Sequence, residues 1–272
     1  LAHKNVDRKH IVFYSGGLGS WMTAKLVIEK YGKENIILLF TDTLIEDKDL
    51  YRFLNVTEEH FGIQITRIAD GRTPWQVFRD NRWLGNARVA PCSHHLKQKT
   101  ARKWIEANFL PNECTLYLGI DWTEMHRRNA PIKNWHPYQV EFPLCEEPYI
   151  SKQEIVGELA NTGIELPKLY KLGFSHNNCG GICVRGGQGH WIHLLKTIPE
   201  RYLEAEQKEQ EMREFLQKDV TILSRQRNGK KHKLTLRTLR KEYEQDKPID
   251  ILDIGGCGCF VDNEPDQYPN VN

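Results

Sequence analysis

A parallel sheet with helices on both faces is the fold this sequence predicts for its first half, on two observations. Short apolar runs alternate with helical stretches from residue 10 to about residue 120, and parallel neighbours require such crossover connections. The first apolar run also ends in a glycine-rich turn that opens a helix, the arrangement in which α/β folds place ligands beyond the carboxyl ends of their strands.

Residues 10–14 (His-Ile-Val-Phe-Tyr) form the first expected strand. Ala24, Val27, Ile28 and Tyr31 then recur at helical spacing before Gly32. Residues 35–40 read as a second buried strand ending at Thr41-Asp42-Thr43, with further strands at 63–69 and 115–119 and helices near 47–60 and 93–109. Residues 121–148 carry Pro131, Pro137, Pro143 and Pro148 and read as an ordered connecting loop over the site. A different module follows: a helix near 151–161, a glycine- and cysteine-rich loop at 177–189, a long helical region interrupted at Pro199, and a hairpin of 220–224 and 231–234 turning at Asn228-Gly229. The expected organisation is a nucleotide-binding domain over 1–148, a smaller, mostly helical, cysteine-containing module over 149–262, and a loose polar tail over 263–272.

With 272 residues, 39% hydrophobic and 27% charged, the chain can bury one sizeable core plus an appended module. A formal charge of +2 gives no strong global field, so nucleic-acid binding must rest on local patches. No apolar run approaches the roughly 18 residues of a membrane span, which makes a soluble, cytoplasmic protein without membrane partners the expectation. The cysteines number seven, and two close pairs among them suit metal or redox chemistry better than a disulfide framework.

The turn Ser15-Gly16-Gly17-Leu18-Gly19-Ser20 lets backbone N–H groups converge on an anion at the positive end of a helix dipole, with two hydroxyls added. It lacks the Gly-Lys-Ser/Thr ending of a Walker loop. It resembles instead the Ser-Gly-Gly-x-Asp-Ser signature of the PP-loop ATP pyrophosphatase (adenine nucleotide alpha-hydrolase) superfamily, in its PAPS-reductase-like branch, with Gly19 standing where the signature has Asp. Two later segments are similar to that branch as well: Asp42-Thr43 at the end of the second strand, and Gly119-Ile120-Asp121-Trp122-Thr123-Glu124 followed by Arg127 and Arg128. The resemblance covers roughly the first half of the chain. It implies an adenine nucleotide alpha-hydrolase-like fold, ATP and Mg2+ as ligands, and cleavage between the alpha and beta phosphates to give an adenylated substrate and pyrophosphate. Lys97, Arg127 and Arg128 are the candidate cations for that chemistry.

Pro91-Cys92 and the following Lys97 stand where reductase-like members carry a cysteine segment, so Cys92 is a candidate ligand or thiol. Cys179-Gly180-Gly181-Ile182-Cys183 and Cys257-Gly258-Cys259 are glycine-flanked pairs whose four thiolates suit zinc or a [4Fe–4S] cluster, and the two pairs are expected to meet. By resemblance, Cys92, Cys179, Cys183 and one tail cysteine match the cluster layout of APS reductases and of the DNA-phosphorothioation sulfurtransferases. Cys114 and Cys145 read as structural, and His176, His190 and His193 as surface or core residues. The basic stretch 225–240 is a candidate contact to phosphate backbone. The leading expectation is an ATP-binding enzyme adenylating a substrate for sulfur transfer, with a nucleic acid or a sulfur-donor protein as candidate partner. The alternatives are a sulfonucleotide reductase, weakened because Gly256-Cys257-Gly258-Cys259 replaces the family's C-terminal nucleophile motif, and a module that senses a nucleotide without turnover.

Overall fold

The computed structural model describes residues 8–256. Cys257, Cys259 and the tail 263–272 lie outside the described residues. The chain runs β1 (Lys9–Phe13), α1 (Leu18–Tyr31), β2 (Ile36–Asp42), α2 (Lys48–Phe61), β3 (Ile65–Ala69), α3 (Pro74–Asp80), a π-helical turn (Ser93–Lys99) leading into α4 (Thr100–Asn108), and β4 (Cys114–Tyr117). A short 3-10 turn (Trp122–Arg127), α5 (Asn129–Trp135) and β5 (Gln139–Glu141) complete the sheet region. After it come α6 (Lys152–Asn161), α7 (Lys168–Lys171), α8 (Gln188–Thr197), α9 (Pro199–Leu216), the hairpin β6 (Leu223–Arg227) and β7 (Lys230–Leu234), and α10 (Leu236–Glu244).

The five strands pair in the order β3-β2-β1-β4-β5, every pairing parallel. β1 is central, and its side chains alternate between two cores. Val12 and Tyr14 pack with α1, α2 and α6 on one face, whereas Ile11 and Phe13 join Leu116, Ala101, Ile105 and Trp135 on the other. Helices therefore cover both faces, as the alternation of elements requires. The chain order reverses beside β1: from β1 it moves outward through β2 and β3, then returns to lay β4 along β1's other edge. That reversal opens a crevice between the carboxyl ends of β1 and β4.

Two elements differ from the sequence reading. The expected loop 121–148 contains α5 and the edge strand β5, a three-residue strand between Pro137 and Pro143 too short to show a period of two. The 93–109 helix begins as a π-helical turn, which is regularised only from Thr100. The third core gathers Trp191, Tyr202, Ala205, Met212 and Leu216 from the second half, and it also takes in Phe78, Leu84 and Ala90 from α3 and the loop after it. Both halves of the chain thus share a core. Among the described residues no helix is long and apolar enough to cross a membrane.

Candidate nucleotide and thiol site

The turn after β1 sits at the crevice. Gly16 has a φ of +73°, and a side-chain Cβ there would lie 2.8 Å from Leu50, so glycine is required on both counts. α1 then starts at Leu18, leaving the amides of its first turn without intrahelical acceptors and aimed at the crevice mouth. One of them is engaged: the Leu18 amide donates to the Tyr170 hydroxyl at 3.1 Å. The Ser20 hydroxyl donates to the Gly17 carbonyl at 2.9 Å and accepts from Ser15 at 3.3 Å, while Asn177 donates to the Gly16 carbonyl at 3.0 Å, so the turn is braced from both sides.

Gly19, the departure from the signature, has a packing reason. A Cβ at Gly19 would fall 2.8 Å from the Gly119 carbonyl oxygen, and a Cβ at Gly119 would fall 2.7 Å from the Gly19 carbonyl carbon and 2.8 Å from the Ser20 nitrogen. The start of α1 and the end of β4 touch backbone to backbone, which two facing glycines permit. A side chain at either position has only main chain to push against.

A cavity of about 240 Å3 opens over the turn. Ser15, Gly17, Leu18, Gly19 and Ser20 line it from β1, and Gly119, Asp121, Glu124 and Arg127 from β4. The second half of the chain adds Lys152, Tyr170 and His176. Arg127 pairs with Glu124, and Asp121 caps the turn after it by accepting from the Thr123 amide at 2.8 Å. Burial holds the Lys152 ammonium below the usual lysine range, and its Nζ donates to the Ser175 carbonyl at 2.9 Å. Burial also pushes the His176 imidazole down to about 3, with His190 and Lys97 adding to the effect, so the ring is neutral near pH 7. Its Nδ1 is buried with no hydrogen-bond partner.

Other predicted residues lie elsewhere. Asp42 ends β2 and accepts from the Tyr51 hydroxyl at 2.9 Å and from the Leu44 amide at 2.8 Å; it does not line the cavity. Arg128 turns away to lie 5.7 Å from the Phe142 ring. Thr43 is buried and donates to Glu46 at 2.8 Å.

Cys92, Cys179 and Cys183 line one enclosed space of about 20 Å3, together with Thr43 and Lys97. The loop that carries two of them is tightly wound, with Cys179, Gly180 and Gly181 all at positive φ. Its shape is fixed by three contacts: Cys179 donates its amide to Glu46, His190 Nε2 donates to the Gly181 carbonyl at 2.8 Å, and the Arg201 guanidinium fills the space where a Cβ on Gly180 would stand. Lys97 is 4% exposed and lines both this space and the cavity over the turn, so it marks their junction. Glu46 lies on the same side, its carboxyl raised by burial and drawn back down by the Lys97 charge. Cys114 and Cys145 are buried in the sheet region, the first pushed up to about 11 by desolvation, as suits structural thiols.

Among the described residues no three metal-type donors approach closely enough to hold an ion. The fourth and fifth cysteines of the expected set, Cys257 and Cys259, lie outside those residues. The chain leading to them is placed, however: Gly255 bridges to Gly186, and Gly187 and Gly189 donate to the carbonyls of Ile254 and Asp253 at 3.0 and 2.8 Å. It ends three residues along the chain from Cys183 on one side of that bridge and two from Cys257 on the other.

Sequence reasoning did not find Glu46, Lys152, Tyr170 or the cavity position of His176. Three of the four come from the second half, and no motif links them to the turn they face. No family model matches the chain. It is 26% identical over 242 residues to an uncharacterized protein, MJ0066, of Methanocaldococcus jannaschii, with 79% of this chain and 44% of the relative covered. The chain therefore spans less than half the length of that relative.

Proposed function

We propose that the crevice binds ATP and that the protein is a PP-loop enzyme of the PAPS-reductase-like kind, adenylating a substrate for sulfur transfer. One observation carries this reading: the glycine turn lies at the reversal point of an all-parallel sheet, under a cavity lined by amides and three cations, Lys97, Arg127 and Lys152. Those residues suit a triphosphate. The amides of Gly19 and Ser20 hold phosphate oxygens, the cations take up charge on the departing group, and Asp121 is the lining carboxylate suited to Mg2+. In the reaction a nucleophilic atom of the substrate bonds to the alpha phosphorus. The bond to the bridging oxygen breaks, and pyrophosphate leaves with its electron pair.

The thiol space is read as the sulfur site, lined by Cys92, Cys179 and Cys183; zinc or an iron–sulfur cluster there would need these three thiols drawn closer than they stand, with Cys257 or Cys259 as the fourth ligand. The junction role of Lys97 supports coupling of the two sites. A second reading, nucleotide binding without turnover, is favoured by the Gly19–Gly119 contact, which leaves no room for the carboxylate of the signature.

Incubation with ATP and Mg2+ distinguishes these readings. AMP and pyrophosphate in equal amounts are the expected products, ADP and phosphate contradict the assignment, and tight binding without products favours the second reading. The same preparation, purified without oxygen, is expected to contain zinc or iron that is lost on Cys183→Ser. A metal-free wild-type protein rejects the sulfur site.

A further inference from the structure

We infer that the recess between the π-helical turn opening α4 and the end of α5 binds a small oxyanion: a free phosphate, sulfate or carboxylate. The recess measures about 220 Å3 and shares no lining residue with the cavity over the β1 turn or with the thiol space. It is smaller than the roughly 300 Å3 at which pockets for drug-sized ligands begin, so its ligand is small.

Helical spacing assembles the lining. His94, Gln98 and Arg102 stand four residues apart and share one face of the π-helical turn and α4, with Lys99 beside them. Asn134 and Trp135 close the recess from α5. Lys97, on the same turn, faces the other way, into the cavity and the thiol space. All six lining side chains carry N–H donors, and no carboxylate is among them.

Arg102 is fixed in place. Its guanidinium lies 4.8 Å from the Trp135 ring centre, pairs with Glu106 at 3.0 Å and donates to the Asn134 carbonyl. The carbonyl at the end of α5 is thereby occupied and does not compete for the donors. Lys99 is exposed and has no ion pair among the described residues, so its charge is uncompensated at the mouth. Gln98 is 8% exposed, a buried amide bordering the recess. The wider surroundings have the same sign: residues 93–108 and 128–136 carry Lys97, Lys99, Arg102, Lys103, Arg128 and Lys133 against one carboxylate, Glu106, in a chain whose net charge is only +2. A concave set of N–H donors in a positive field selects a compact anion. The buried amide and the immobilised guanidinium distinguish it from a solvated surface lysine.

The test follows the tryptophan indole N–H signals by nuclear magnetic resonance, with Trp135→Phe identifying the signal of Trp135. Titration with sodium phosphate, sulfate or malonate, at an ionic strength held constant with chloride, is expected to shift that signal saturably, with a dissociation constant of about 1 mM or tighter for at least one of them. A response to phosphate and sulfate alone marks a tetrahedral anion, and a response to malonate a carboxylate. Lys99→Glu is expected to weaken binding about tenfold or more, whereas Lys241→Ala on α10 leaves it unchanged; both lysines are exposed, so both variants are expected to fold. Gln98→Leu, which changes no charge, is expected to weaken it too. An unmoved Trp135 signal, a shift that chloride alone reproduces, or equal affinity in Lys99→Glu and Lys241→Ala overturns the inference. An anion bound only at the β1 turn gives one of these negative results. No nucleotide is added, so failure here leaves the ATP reading standing, and failure of ATP binding leaves this one.

Discussion

Restoring the signature residue, by Gly19→Asp, is expected to destabilise the protein and to yield no gain in pyrophosphate release. The new Cβ meets the Gly119 carbonyl oxygen at 2.8 Å, and both partners are main chain, so no rotamer change relieves the contact. Overpacking of this kind costs about 1–3 kcal/mol. Gly119→Ala is expected to fall in the same range, because its Cβ meets Gly19 and Ser20 backbone at 2.7–2.8 Å and forces the first turn of α1 away from β4. The amides that face the cavity move with that turn, so ATP affinity falls too. Urea unfolding and ATP titration of both variants check the pair. Wild-type stability in both would mean that the glycine contact does not set the position of α1.

Loss of the buried charge at Lys97 is expected to have a larger effect still. Lys97→Met keeps most of the volume but removes the cation from the cavity over the turn and from the neighbourhood of Glu46. ATP affinity should fall about tenfold or more, and stability should fall as well, because Glu46 is left buried without the nearby Lys97 charge. The sign with pH follows from Glu46. Its folded-state pKa is already raised, and removal of Lys97 raises it further, so the variant's deficit is full above that pKa and shrinks as acidification protonates the carboxyl. Lys97→Met/Glu46→Gln should recover stability without recovering ATP affinity. If the double variant regains both, Lys97 acts only on the fold.

The parts of this site that were legible in the sequence are those whose partners lie close in the chain. The turn at residues 15–20 reads directly, because strand, glycines and helix are consecutive, and the Gly119 segment reads because it ends the strand that pairs with β1. β2, β3, β4, α2 and the hairpin were expected within a few residues of where they lie, since their apolar periods are undisturbed. β5 was not, being a short edge strand flanked by prolines. Asp42 shows the limit of motif order: it stands at a strand end one place along from β1, yet its carboxylate is turned to Tyr51. Lys152, Tyr170 and His176 show the reverse, since only the packing of α6, α7 and the loop beyond against α1 brings them to the turn. The departure at Gly19 reads from the sequence, but its packing reason, Gly119 across the crevice, shows only in the fold.

Calorimetric titration of ATP with Mg2+ into the wild-type protein and into Gly17→Val tests nucleotide binding at the turn most directly. Gly17 is extended, with φ −96°, so valine is sterically allowed by the backbone, but its Cβ stands 3.2 Å from the Tyr170 hydroxyl and its methyls take up room in the cavity where we propose the phosphates bind. A saturable heat with the wild type that disappears in Gly17→Val, with the variant still folded by circular dichroism, is the result expected. Unchanged affinity in Gly17→Val, or no heat from the wild type, would contradict it.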